Sequence, residues 1–150
     1  MPRLMLFAPC ERAILDRADN SLSLIAIIHE LTADIPSTTA LPRDAHAPRQ
    51  WQVVAVWWAE PGDDQKRFQQ RVSVVNPDGK VVLQTLTEFD IRLRSHRTVG
   101  RINVFPIGVA GEYNLRLEIR ELGQEGWTEV SSFPLLVQHR RIMAPKASPA

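Results

Sequence analysis

The chain has 150 residues, 44% of them apolar and 23% charged, with a net charge of +1. That length favours one domain able to bury about two-thirds of its unfolded surface. The composition excludes intrinsic disorder, and the charge excludes a global field that would draw the protein onto nucleic acid or an anionic membrane.

Residues 4–8, Leu-Met-Leu-Phe-Ala, are apolar but too few for the about 7–15 residues of a signal-peptide core. No stretch approaches the about 18 apolar residues of a membrane-spanning helix. The only cysteine, Cys10, permits no internal disulfide, and Pro9 directly before it argues against a lipid anchor. A cytoplasmic location is the expectation that follows, since unpaired thiols suit a reducing compartment.

Taken in order, residues 3–8 read as a short strand that Pro9 should end, because proline donates no ladder hydrogen bond. Residues 10–18 suggest one or two helical turns, and Asp19-Asn20-Ser21 is a turn signal. Residues 22–31 are almost continuously apolar and β-branched, which predicts a central strand buried on both faces. Residues 33–50 carry Pro36, Pro42 and Pro48 and predict a long loop or a proline-broken edge strand.

Residues 51–60 predict a second central strand. Phe68, Gln70, Val72 and Val74 alternate with Gln69, Arg71 and Ser73, and the turn Asn76-Pro77-Asp78-Gly79 then returns the chain, so residues 67–89 predict a hairpin. Residues 91–105 read as one strand interrupted by a bulge or loop. The clearest pattern lies in residues 111–137. Tyr113, Leu115, Leu117 and Ile119 share one parity and Asn114, Arg116, Glu118 and Arg120 the other, which is a strand with one dry and one wet face. The apolar parity of the following strand changes between Val130 and Phe133, which predicts a bulge near Ser131-Ser132. Gly111-Glu112-Tyr113 suggests a tyrosine corner, with the phenol bonded back to the main chain.

These elements predict an all-β fold: a single-domain antiparallel β-sandwich, immunoglobulin-like, of about eight strands over residues 1–143, followed by a flexible tail over 144–150. The sequence also resembles a family of small uncharacterised bacterial β-sandwich proteins with no established activity. The resemblance rests on Leu6-Phe7 before Cys10-Glu11, the turn at Asp19-Asn20, Leu22-Ser23-Leu24-Ile25, Asn76-Pro77-Asp78-Gly79 and Gly111-Glu112-Tyr113. It implies a fold and a bacterial origin and carries over no functional residue.

Chemistry-bearing residues are sparse. His29 and Glu30 are sequence neighbours on a strand and point to opposite faces, so they make a poor acid–base pair. His46, His96 and His139 lack metal-ligand spacing, and Cys10 has no evident base beside it. Asp63-Asp64, Asp78 and Asp90 read as solvated turn residues rather than a calcium cluster. No catalytic residue, metal or cofactor is expected, and no phosphate-binding or nucleophile motif occurs.

Two features point to a surface. Arg92, Arg94 and His96 share parity and predict a basic stripe on one strand face, which raises nucleic-acid binding through residues 92–101 as one reading. Trp51, Trp57 and Trp58 crowd one strand, with Trp57 and Trp58 facing opposite ways, and an exposed tryptophan is a partner anchor or a sugar platform. The expectation is a non-enzymatic module acting through a protein partner or through self-association, with small-ligand or carbohydrate binding as the alternative. Trp51, Trp57, Trp58, Arg92, Arg94 and His96 are its candidate surface.

Overall fold

In a computed structural model, residues 1–143 are described, and the expected tail over 144–150 lies outside them. The described chain is all-β, with nine strands: β1 (Arg3–Leu15), β2 (Leu22–Ile27), β3 (Glu30–Pro36), β4 (His46–Trp58), β5 (Arg67–Val75), β6 (Val81–Asp90), β7 (Ser95–Pro106), β8 (Gly111–Glu121) and β9 (Thr128–Ile142). They form a four-stranded sheet in the order β2-β1-β4-β7 and a five-stranded sheet in the order β3-β9-β8-β5-β6.

The alternating residues of β5 and β8 explain why the second sheet buries one face. Val72 and Val74 pair with Leu117 and Leu115, Gln70 pairs with Ile119, and all of these together with Phe68 are almost without exposure. Opposite them, β4 contributes Trp51, Val53, Ala55 and Trp57 to the same core. Aromatic contacts cross between the sheets: Trp57 stacks on Phe89 of β6 at 5.9 Å, and Phe105 of β7 lies 6.5 Å from Tyr113 of β8. Gln70 shares the inward parity, and its Oε1 accepts from Trp57 Nε1 at 2.9 Å and from the Thr98 hydroxyl at 3.0 Å. That buried oxygen ties β5 to both β4 and β7 and satisfies an indole N–H that the apolar core would otherwise strand.

Several expectations are corrected. Pro9 does not end the first strand, and residues 10–15 are strand rather than helix. In antiparallel strands a residue's N–H and C=O point to the same edge. The Pro9 carbonyl accepts the Ile28 N–H at 3.0 Å on the side away from β4, so the missing proton costs the β1–β4 ladder nothing. Residues 22–31 are not one central strand. The chain leaves the first sheet after Ile27 and enters the second at Glu30, and β2 is a largely exposed edge. The proline-rich stretch is strand at both ends, in β3 and the start of β4, which leaves only residues 37–45 between them. Nor is the pairing antiparallel throughout, since β3 runs parallel to β9 from Glu30↔Leu136 to Pro36↔Ile142.

The hairpins over β5–β6 and β8–β9 are present. The register shift in β9 skips Val130, one residue before the expected Ser131. Tyr113 donates its phenol to the Val109 carbonyl at 2.8 Å, four residues upstream.

The β1–β2 hairpin has a further role. Ala8, Cys10 and Val54 are buried, yet they belong to no part of the inter-sheet core, because they sit on the outer face of the four-stranded sheet. The Ala13 N–H reaches the Gln52 side chain on that face at 2.7 Å. Asn20 and Leu22, near the hairpin tip, border the same cleft as Met5 and Val56. The hairpin therefore folds back across the sheet like a flap, and the small side chains of Ala8, Cys10 and Val54 allow its close approach.

Candidate functional site

The structure divides the six candidate residues. Trp51 and Trp57 are 1% and 0% exposed and belong to the core, so they leave the candidate surface. The Trp51 indole N–H donates to the Val104 carbonyl at 2.8 Å, which fixes it inside the sandwich. Trp58 has the opposite parity on β4 and is half-buried on the outer face.

Arg92, Arg94 and His96 do not form a stripe. Strand β7 begins only at Ser95, so Arg92 and Arg94 lie in the β6–β7 link. His96 pairs with Trp57 and points inward, stacked on Phe89 at 4.9 Å with the rings 3° from parallel. Burial pushes its imidazole pKa below the ordinary value, with Asp90 opposing the shift. The arginines on the outer face of β7 are Arg97, opposite Val56, and Arg101, opposite Gln52, which alternation counted from Arg92 assigns to the wrong side. The intervening link resets parity, and no local signal in the sequence marks where the strand starts.

Three candidates meet at one end of the four-stranded sheet. Trp58, Arg92 and Arg94 border an open cleft of about 470 Å³, together with Pro61 and Leu93. The Arg94 guanidinium lies 5.8 Å from the centre of the Trp58 ring, within cation–π range. Arg92 donates to Asp90 at 2.8 Å, and that bond holds the Asp90 carboxyl below the usual carboxylate range. Leu93, between them, is 76% exposed. The walls are fixed: the Ala59 N–H donates to the Arg94 carbonyl at 2.9 Å, and Asp63 accepts the Glu60 N–H at 2.8 Å. Asp63 is thus a buried brace for this loop, not the solvated turn residue expected from sequence, and the Met1 ammonium also reaches it at 2.9 Å.

A second cluster of charged and aromatic side chains went unread in the sequence. On the outer face of the five-stranded sheet, Arg71 and Arg120 each place a guanidinium 4.3 Å from the centre of the Trp127 ring. Arg71 also makes a two-pronged bond to Glu118, at 2.7 and 2.9 Å, which holds the Glu118 carboxyl below its ordinary range. Arg120 donates to Gln69, which donates to Glu88. Cross-strand register, invisible in a single sequence, assembles this network, in which Arg71 is ion-paired with Glu118 and Glu88 with Arg67.

The remaining chemistry is quiet. Cys10 is fully buried, and that burial pushes its thiol pKa up, the reverse of what a nucleophile needs. Among the described residues, no group of three or more His, Cys, Asp and Glu side chains is placed to hold a metal ion. Among the same described residues, no helix is long and apolar enough to cross a membrane. No protein-family model matches the chain, and no curated protein matches it.

Proposed function

We propose that this protein is a non-enzymatic binding module whose partner is another protein, and that the partner docks on the Trp58–Arg92–Leu93–Arg94 edge. The observation that carries this reading is Leu93, 76% exposed between two arginines and beside a half-buried tryptophan, around a cleft with fixed walls. Tryptophan and arginine are the side chains most often dominant in protein interfaces, and an apolar tip between them supplies area to desolvate. We further propose that the sandwich is immunoglobulin-like and works in the bacterial cytoplasm. The Tyr113–Val109 bond near the start of the penultimate strand supports the first part. The unpaired Cys10 supports a reducing compartment.

The test compares wild type with a Leu93→Asp/Arg94→Glu variant as bait in nuclease-treated lysate of the native host at physiological salt. A discrete protein held by wild type and lost by the variant, then rebound as a purified pair, supports the reading. Equal retention by both baits sinks the assignment of this edge. Material that disappears with nuclease moves nucleic acid ahead of protein as the partner.

A further inference from the structure

We propose that the cleft beneath the β1–β2 flap binds a small amphipathic carboxylate, with Arg97 taking the head group and Met5, Leu22, Val56 and Trp58 holding its aliphatic tail. This goes beyond the protein-docking edge, with which the cleft shares only Trp58.

The Nη1 of Arg97 is buried and has no hydrogen-bond partner among the described residues. A guanidinium N–H removed from water costs free energy until an acceptor meets it. Arg71, also partly buried, is paired with Glu118, and Arg49, whose Nε is likewise buried without a partner, reaches Glu11 through its Nη2. Arg97 instead lines a cleft of about 290 Å³ whose other described walls include no Asp or Glu.

The shape and lining of the cleft select the ligand. Met5, Leu22, Val56 and Trp58 make it mainly apolar, with Asn20 and Ser95 as further polar residues. One cation in an apolar slot is complementary to one anionic head on an apolar body, and a planar carboxylate matches the guanidinium fork. The volume lies at the lower end for ligand sites, which restricts the tail to a short chain. Inorganic phosphate shares the head-group chemistry but would leave those walls without a partner. The site is built from two layers, Asn20 and Leu22 on the flap and the rest on the sheet, so occupation should also hold the flap down.

Calorimetry and thermal unfolding with hexanoate, hexylamine and inorganic phosphate test the assignment. Hexanoate is expected to bind and raise the midpoint, with the other two giving no comparable shift at equal concentration. Arg97→Met, checked for folding by circular dichroism, is expected to weaken hexanoate binding by about tenfold or more, the scale of one lost charged hydrogen bond. Arg101→Met, an exposed site on the same strand, should leave it unchanged. Hexanoate should alter tryptophan emission in wild type and not in Trp58→Phe, and Leu93→Asp should still bind it, which separates this site from the docking edge. Absence of hexanoate binding at millimolar concentration, or equal binding by Arg97→Met, overturns the proposal. Equal stabilisation by phosphate overturns the role given to the tail.

Discussion

At the scale of single residues, the interior depends on a few polar atoms placed among large apolar ones. Gln70 is the clearest, since one side-chain oxygen accepts from both Trp57 and Thr98. Gln70→Leu keeps the volume, leaves the Trp57 indole N–H unpaired and leaves the Thr98 hydroxyl only its 3.5 Å contact with the Ala55 carbonyl, which should cost about 2 kcal/mol in urea-measured stability. A loss below about 1 kcal/mol would mean that those donors find other acceptors. His96 gives a pH signature. Its folded pKa lies below the ordinary imidazole value, so between about 6.5 and that lower value the unfolded chain holds a proton the folded chain does not. Stability contributed by neutral His96 is present above that window and is lost as pH falls through it. Denaturation midpoints of His96→Gln should therefore be flatter across this range than those of wild type, and parallel profiles would contradict the burial argument.

At the scale of elements, the β1–β2 flap is the piece with the least support. It crosses the outer face of the four-stranded sheet on partly buried Leu22 and Leu24, whereas β8 is locked between two strands over a dry core. Local opening free energies follow such differences in buried apolar contact. Cys10 reports on this directly, because it is fully buried beside the flap's root. Leu24→Ser should speed thiol labelling of Cys10 by about tenfold, corresponding to about 1.4 kcal/mol, while shifting the global midpoint little. Labelling that changes only in step with global unfolding would show that flap and sandwich open together. The parity error at Arg92, Arg94 and His96 belongs to this scale as well. Alternation fixes faces only inside a continuous strand, and the β6–β7 link breaks the count before Ser95.

At the scale of the whole molecule, the two sheets share one cluster, and Trp57 is its pivot. It has no exposure, stacks on Phe89 and bonds Gln70, so it touches both sheets at once. Trp57→Ala should cost about 3–5 kcal/mol, a large part of the about 5–15 kcal/mol that holds a domain of this kind together. The variant should show collapsed amide dispersion or a strongly lowered melting temperature. A near-native melting curve would mean that the sheets hold together without this contact.

What the sequence determined by itself was local and periodic. Alternation in β5 and β8 gave the buried faces, Asn76-Pro77-Asp78-Gly79 gave a hairpin, and a parity change placed the β9 bulge within a residue or two. These are properties of neighbours in the chain, where turn residues and a period of two act directly. The tertiary structure alone decided which strands meet. It split residues 22–31 between two sheets, set β3 parallel to β9, kept Pro9 inside a strand by turning its missing donor to an edge, and brought Arg97 beneath the flap instead of Arg92 or Arg94. Those choices depend on contacts far apart in sequence, and partner strands and register come from the fit of whole faces, which no window of neighbouring residues contains.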